Sequence, residues 1–215
     1  MEDRYGAVFL APRLFNGNPH RALRSRRRSQ ALHQVDTKTK RVADGTDFLT
    51  INPLGQVPVL RTDDGELLTE NPAVLQYVAD RNPQSGLAPA SGPERYLLQQ
   101  WLNFVTSELH KLVFSPLLNP AAPQGAKDFA REKAEARFVY LNDRLAGRDY
   151  LLDRFTVADA YLVTVLNWAK YAAIDLARWP AVQAYFMRLQ ERPSVVRALA
   201  EERALYAAER ARQAA

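Results

Sequence analysis

The stretch 51–71 constrains the fold of this chain more than any other part of its sequence. It predicts a loop, a strand that begins at Pro58, a tight turn at 63–65, a return strand at 67–68 and a helix start at 69–72. Proline has no backbone N–H, so Pro58 suits the first residue or the edge of a strand. The Asp-Gly pair in the turn is a strong hairpin signal. Side chains of the capping type ahead of a proline predict a helix N-terminus.

This arrangement can hold a small peptide. The backbone before Pro58 offers its polar groups to an extended ligand, and a helix N-terminus offers N–H groups to an anion. An extended peptide with a carboxylate would meet both features. A hairpin followed by a capped helix also occurs in many α/β domains, so the pattern alone leaves a purely structural interpretation open.

The composition limits the classes of protein that this chain can belong to. Its 215 residues are enough for one large or two small domains, and 47% of them are hydrophobic. No apolar run approaches the length of a membrane span, and the charged N-terminus does not resemble a signal peptide. The sequence has no cysteine, which excludes disulfides, thiolate metal sites and a cysteine nucleophile. With only three histidines we expect no metal site, and the composition is compatible with the cytoplasm.

A cluster of five arginines between Arg21 and Arg28 supplies much of the net charge of +5. Such a cluster can bind nucleic acid or anionic lipid, or it can be a solvated helix face. It has no interleaved aromatic residues and no nucleic-acid-binding motif, which favours the solvated face. We therefore expect neither nucleic acid nor a membrane as a partner.

The order of predicted elements divides the chain into two domains. The first, 1–82, reads as strand, helix, strand, loop, strand, strand and helix, at 7–11, 19–24, 31–35, 36–47, 59–60, 67–68 and 72–80. A segment rich in Pro, Gly and Ser at 83–92 predicts a linker. No convincing strand follows it. We expect helices at 93–118, 126–145, 156–166 and 180–189 and from 193 onwards, with the prolines at 116, 120 and 123 breaking the first of them.

A capping box precedes the most apolar of these helices. Thr156 is placed as the N-cap residue and Asp159 lies three residues further on, directly ahead of the apolar run 160–166. Asp has a shorter side chain than the usual Glu, but its carboxylate can still accept a hydrogen bond from the N-cap N–H. The pattern predicts a buried central helix, and its interpretation is structural.

The segments INPLGQVPVL and LLTENPAVLQYVAD, within 51–80, resemble the second half of a glutathione transferase N-terminal domain, and the bacterial beta class is the most similar. The resemblance implies an α/β thioredoxin-like N-terminal domain, an all-α C-terminal domain, glutathione as co-substrate and a homodimer. In that family the proline matching Pro58 is cis, and the backbone of the residue matching Val57 pairs with the cysteinyl part of glutathione. Residues matching Glu70 and Asn71 hold its γ-glutamyl end.

The segment WLNFVTSELHK, at 101–111, carries a second group of polar residues. Asn103, Ser107, His110 and Lys111 recur at spacings of three and four, which predicts that they share one side of a helix. A histidine beside a lysine suits anion binding or proton handling, although a solvated polar face has the same pattern.

This segment also resembles the beta class, in which the matching residues point to the glutathione site and some of them reach the neighbouring subunit's ligand. The resemblance implies that Asn103, Ser107 and Lys111 bind glutathione and that His110 assists catalysis. The resemblance further places Lys40 near the glycyl carboxylate of glutathione, where a cation would pair with the negative charge. The residue pattern alone is equally consistent with a surface lysine.

The chain departs from the family at the catalytic position. Aligning the Pro-His pair at 19–20 puts Phe15 where the beta class has its cysteine, and Asn16 where a serine follows. Phenylalanine cannot ionise or form a mixed disulfide, which excludes thiol transfer through this residue. Conjugation needs only a hydrogen-bond donor or positive charge that lowers the pKa of the glutathione thiol. Asn16, His110 and Lys111 are the candidates for that role.

Two functions follow from this resemblance. The first is a cytoplasmic glutathione transferase that conjugates glutathione to hydrophobic electrophiles, as in detoxification. The second is a non-catalytic protein that binds glutathione or a hydrophobic ligand on the same fold, for which Phe15 is the main support.

Overall fold

The computed structural model describes residues 7–10, 31–36 and 39–214. The predicted helix at 19–24 and the arginine cluster at 21–28 lie outside these residues. Within them the strands are β1 (Ala7–Leu10), β2 (Ala31–Asp36), β3 (Arg41–Val42), β4 (Val59–Arg61) and β5 (Leu67–Leu68). They form one sheet in the order β3-β2-β1-β4-β5, in which β1 and β2 are parallel and every other pair is antiparallel.

The sheet is followed by helices to the end of the described chain. They are α1 (Asn71–Asp80), α2 (Gly92–Phe104), a π-helix (Val105–Phe114), α3 (Ser115–Leu118), α4 (Gln124–Leu145), α5 (Val157–Leu166), α6 (Pro180–Gln190) and α7 (Pro193–Ala214). Short 3-10 helices lie at Phe48–Thr50, Pro83–Ser85 and Leu176–Arg178. Every predicted helix beyond residue 70 is present, with shifts of one or two residues at most ends.

Two predictions about the course of the chain are wrong. The segment 36–47 was expected to be loop or short helix, but it contains β3, which pairs with β2 through Val42 and Arg41. A two-residue strand is too short to leave a periodic pattern in the sequence. The helix predicted over 93–118 does extend to Leu118, but Pro116 does not break it as expected. Pro116 lies in the first turn of α3, where its missing N–H is tolerated.

The largest core is built around α5. All ten residues of this helix are buried, because α1, α2, the π-helix and α6 pack around it. The predicted capping box is confirmed: the Ala158 N–H donates to Thr156 Oγ1 at 3.3 Å, and the Thr156 N–H donates to Asp159 Oδ2 at 2.8 Å. Asp159 Oδ1 also accepts from Leu151 N and from the Tyr185 hydroxyl. The buried carboxylate therefore ties together the helix start, the preceding loop and α6.

Helix α1 joins the sheet to this helical core. Leu75 and Ala79 on one side of α1 belong to the same hydrophobic cluster as the residues of α5. Val74, on the other side, packs against Leu60 of β4. The start of α1 is consequently held between the two parts of the chain, which matters for the site described next.

Candidate functional site

The β4–β5 hairpin places the two ends of the stretch 51–71 side by side. In this hairpin Leu60 lies opposite Leu68, and Arg61 lies opposite Leu67. If the same antiparallel register is continued two residues beyond Leu60 and Leu68, Pro58 lies opposite Glu70. The Val57–Pro58 peptide bond is cis, as the resemblance implied. The backbone of Val57 and the start of α1 therefore lie at the same end of the β4–β5 hairpin.

The loop before Val57 is braced by two side chains. The buried Asn52 donates from Nδ2 to the Gln56 carbonyl at 2.7 Å, and its Oδ1 accepts from the Leu54 N–H at 3.2 Å. Lys40 Nζ donates to the Gly55 carbonyl at 3.0 Å. Within the described chain the backbone of Val57 itself takes part in no hydrogen bond. The loop is thus fixed while the Val57 backbone remains available to an extended ligand.

Lys40 accordingly lies beside this loop, in the neighbourhood that the resemblance gives it. Its ammonium group carries three N–H donors, of which the Gly55 carbonyl takes one. Lys40 has a φ of 56°, a backbone conformation that non-glycine residues rarely adopt. This conformation belongs to the turn between β2 and β3, the part of the fold that the sequence pattern did not reveal.

The start of α1 differs from the capped start that the sequence predicts. The N-cap residue is Glu70, and its side chain is exposed and makes no capping hydrogen bond. Its backbone has a φ of 61° and a ψ of 119°, outside the regions that non-glycine residues favour. Strained residues of this kind cluster at binding sites, where the surrounding structure imposes them. The expectation that side chains around 69–71 cap the helix is therefore wrong for Glu70.

A buried tyrosine of α5 contacts the π-helix. Tyr161 is 1% exposed, and its hydroxyl lies 2.7 Å from His110 Nδ1. Burial raises the pKa of Tyr161, and the nearby polar side chains of Thr106 and Asn71 offset part of this effect. Tyr161 was missed by the sequence analysis because it lies in the apolar run 160–166, where a tyrosine is expected to be an ordinary residue of the hydrophobic core.

The π-helix separates His110 from its predicted neighbours. In a π-helix the N–H of each residue bonds to the carbonyl five positions back, as Ser115 does to His110, so each residue covers a smaller angle than in an α-helix. Lys111, four residues after Ser107, stays on the same exposed side. His110, three residues after Ser107, turns inward against Tyr161 and Trp168. The prediction that His110 shares one face with Asn103, Ser107 and Lys111 is wrong.

His110 is electrically neutral near pH 7. Burial lowers its pKa to about 4, and the positive charge of Lys111 adds to this effect. The ring therefore supplies a hydrogen-bonding group to Tyr161 rather than a positive charge.

The other three predicted residues of this segment, Asn103, Ser107 and Lys111, are exposed. The Ser107 hydroxyl donates to the Asn103 carbonyl at 3.0 Å and also contacts Glu108, which forms an ion pair with Arg137 at 2.9 Å. These three residues are presented to solvent in the isolated chain. The structure does not bring them against Val57 or Glu70 by any contact among the described residues.

The predicted residue Asn16, together with Phe15, lies outside the described residues, so its candidacy stays a prediction. The described residues contain no group of three or more His, Asp or Glu side chains placed to hold a metal ion. Within the same residues no helix has both the length and the apolarity needed to cross a membrane.

Comparison with known proteins assigns the family. Residues 22–81 match the sequence model of the glutathione S-transferase N-terminal domain, and residues 105–193 match that of the C-terminal domain. The chain belongs to the glutathione S-transferase family. The glutathione S-transferase GstA of Escherichia coli O157:H7 is 40% identical to it over 197 residues, which cover 91% of this chain and 98% of that protein.

Solved glutathione S-transferase structures share its fold. A sphingomonad glutathione S-transferase complexed with glutathione has a TM-score of 0.83 and 44% identity, and it covers 91% of this chain and 98% of its own. A bacterial beta-class glutathione S-transferase from Sphingomonas chungbukensis has a TM-score of 0.83 and 39% identity at the same coverage. The predictions of the family, of its two-part fold and of a glutathione S-transferase enzyme are confirmed.

Proposed function

We propose that this glutathione S-transferase binds glutathione along the edge formed by Val57, Pro58 and Glu70 and conjugates it to hydrophobic electrophiles. One observation carries the proposal: the available backbone of Val57 and the strained, uncapped residue Glu70 are brought level by the β4–β5 register. Unpaired backbone beside an open helix start suits an extended peptide that ends in a charged group.

Each part of glutathione has a matching group in this arrangement. The cysteinyl part would pair with the backbone of Val57, next to Pro58. The γ-glutamyl part carries an ammonium and a carboxylate, which would meet the carboxylate of Glu70 and the side chain of Asn71. The glycyl carboxylate would lie near Lys40, whose ammonium is held 3.0 Å from the Gly55 carbonyl of the same loop. The assignment of these residues to glutathione is a proposal.

The conjugation step needs the thiolate form of glutathione. The thiolate sulfur attacks an electrophilic carbon, a C–S bond forms, and the leaving group departs with the electron pair of the broken bond. A hydrogen-bond donor or positive charge beside the sulfur favours the thiolate. His110 is neutral, so Lys111 is the candidate that would supply a positive charge to the thiolate. Asn16 would instead donate a hydrogen bond to it.

We also propose that the enzyme is a homodimer, as the resemblance implies. The apolar side of α2 and the π-helix does not supply the interface, because its members are buried within the same chain: Leu98, Trp101, Leu102, Val105 and Leu109. An exposed surface on α2 and α4 takes its place. Tyr140 is 48% exposed and stacks on Trp101, and Leu97, Phe129 and Val139 are 44–50% exposed.

The exposed side chains of Asn103, Ser107 and Lys111 suit this dimer, since they do not contact the site of their own chain. In the assembly they would lie near the glutathione of the neighbouring subunit. We place the enzyme in the cytoplasm, where glutathione is kept reduced, and we assign 1–82 to the glutathione-binding domain, 83–92 to the linker and 93–215 to the helical domain.

A glutathione-affinity column followed by a conjugation assay tests the function. Retention on the column and turnover with a generic aromatic electrophile support the transferase. Retention without turnover supports the alternative, a binding protein on the same fold, which Phe15 at the family's cysteine position would explain. Lack of retention contradicts both. Analytical ultracentrifugation tests the dimer, and Tyr140→Glu should shift the protein to the monomer.

A further inference from the structure

Arg95, near the start of α2, is bonded both to helix α1 and to the segment between the two helices. Its Nη1 and Nη2 atoms donate to the two carboxylate oxygens of Asp80, the last residue of α1, each at 2.9 Å. Nη1 also donates to the carbonyl of the buried Pro89, again at 2.9 Å. A guanidinium that bonds a carboxylate through two parallel N–H groups fixes orientation as well as distance. Arg95 therefore fixes the end of α1 against α2.

Other contacts between the same helices support this ion pair. Exposed ion pairs contribute little on their own, but the Arg95 side chain is only 18% exposed. One turn further along both helices, Gln99 Nε2 lies 3.5 Å from Gln76 Oε1. On the inner side of α1, Leu75 and Ala79 pack into the core around α5. Polar contacts outside and apolar contacts inside thus hold α1 in one position against the helical domain.

The same end of α1 is also bonded to the sheet. Arg81, directly after Asp80, forms an ion pair with Asp63 in the turn of the β4–β5 hairpin. The Tyr77 hydroxyl accepts from the Asp63 N–H at 3.2 Å. Helix α1 and the hairpin, which carry the proposed glutathione site, are therefore tied to each other. Any movement of this site relative to the helical domain has to stretch or break the pair of Arg95 and Asp80.

We propose that Arg95 is a positioning residue for conjugation: through Asp80 it holds α1, and glutathione bound at the start of α1, in place against the helical domain. The inference rests on the proposed function, in which Val57 and Glu70 bind glutathione and Lys111 of the helical domain stabilises the thiolate. The ten residues of α1 span about 15 Å. Arg95, at the far end of this helix, is assigned no contact with glutathione or with the electrophile.

The position of α1 matters because the reacting groups come from both domains. A misplacement of about 1 Å can lower a rate about a hundredfold, even when its cause lies far from the reaction. Helix α2 also forms part of the surface proposed for the dimer. The pair of Arg95 and Asp80 would consequently fix bound glutathione relative to the neighbouring subunit as well as to its own.

Arg95→Ala tests this in the full-length protein. With a generic aromatic electrophile, kcat at saturating glutathione should fall about tenfold, because the reacting groups are no longer held in place. The Kd for glutathione, measured by isothermal titration, should change less than about twofold, since the groups assigned to glutathione binding lie on the other side of the ion pair. A kcat within about twofold of the wild type would overturn the inference and leave the proposed function intact. A wild type without turnover would overturn the proposed function, and this inference with it.

Arg178→Ala is the matched control. Arg178 forms an ion pair with Glu135 at 2.7 Å, between α4 and the 3-10 helix that follows α5. Both substitutions remove an ion pair of α2 or α4, but only Arg95→Ala should lower kcat. An equal loss of kcat in the two variants would attribute the effect to a general loss of stability and would contradict a positioning role.

A double-mutant cycle with Asp80→Asn tests the route through the carboxylate. The Asp80 side chain is 51% exposed, and asparagine has nearly the same shape, so this variant should fold normally. Alone it should lower kcat severalfold. In an Arg95→Ala background it should change kcat by less than about twofold, because its partner is already gone. Two losses that simply multiply would show that Arg95 acts without Asp80 and would contradict the inference.

Discussion

Two helices of this protein start in opposite ways. Helix α5 begins with a complete capping box: Thr156 and Asp159 satisfy the first N–H groups, and both side chains are buried. Helix α1 begins at Glu70, which is exposed, strained in its backbone and without a capping bond from its side chain. The same kind of sequence signal, cap-type residues ahead of a helix, precedes both. The difference indicates that a start closed by its own side chains supports the fold, whereas one left open can receive a ligand.

A substitution in the capped start of α5 should lower the free energy of unfolding more than one in the start of α1. Asp159→Ala removes the acceptor of four hydrogen bonds, from Leu151 N, from Thr156 N and Oγ1, and from the Tyr185 hydroxyl. Buried donors left without partners are expensive, so the free energy of unfolding should fall by at least about 3 kcal/mol. Urea denaturation measures this loss.

The exposed Asp153, in the loop before α5, provides the control. Asp153→Ala should change the free energy of unfolding by less than about 0.5 kcal/mol. A similar small effect of Asp159→Ala would contradict a structural role of the capping box.

The burial of His110 should make the stability pH-dependent. The pKa of His110 is lowered from 6.5 to about 4 in the folded protein, so the unfolded chain takes up the proton first as the pH falls. The contribution of His110 is therefore complete above pH 6.5 and is lost toward pH 4. Between about pH 7.5 and pH 5 it should remove about 2 kcal/mol of unfolding free energy.

His110→Gln isolates this contribution, because glutamine does not titrate. Urea denaturation of both proteins at the two pH values should show a pH-dependent loss that is about 2 kcal/mol smaller in the variant. Equal losses in the two proteins would show that His110 has a similar pKa in the folded and the unfolded chain.

Thr156→Ala should have a smaller effect than Asp159→Ala. It removes the cap hydroxyl that accepts from the Ala158 N–H but leaves the carboxylate of Asp159 in place. The free energy of unfolding should fall by about 1 kcal/mol, the usual value of an N-cap. Thr156→Ser keeps the hydroxyl and should restore most of that stability, whereas an equal loss in both variants would assign the effect to packing of the methyl group.

A substitution at the uncapped start of α1 should have the smallest effect on the free energy of unfolding. Glu70→Gly replaces a residue at a φ of 61° with one that adopts positive φ readily. The relief of strain and the greater entropy of the unfolded chain oppose each other, so the free energy of unfolding should stay within about 1 kcal/mol of the wild-type value. A loss well beyond that, measured by urea denaturation, would mean that the Glu70 side chain supports the fold.

The regular elements of this protein could be predicted from its sequence because each carries a local signal. The Asp-Gly turn at 64–65 and the capping box at Thr156 are patterns of adjacent residues, and both are present in the structure. The resemblance to a known family predicted the fold and the cis bond before Pro58.

The features that could not be predicted depend on contacts between distant segments. The strand β3 has only two residues, and the inward position of His110 against Tyr161 and Trp168 depends on a π-helix that residue periodicity does not predict. Tyr161 has no signal of its own, since its partner His110 lies 51 positions earlier in the sequence. The conformation of Glu70 was missed because nothing in the local sequence requires it.

The most direct test of this comparison is a calorimetric titration of glutathione into three proteins: wild type, Glu70→Gln and Thr156→Ala. The wild type should bind one glutathione per chain with a Kd below about 1 mM, as is usual for an enzyme and its substrate. Glu70→Gln should weaken binding at least tenfold, roughly 1.4 kcal/mol, with little loss of stability. Thr156→Ala should lose stability and keep its affinity. Equal affinities of wild type and Glu70→Gln would contradict the assignment of the open helix start as the glutathione site.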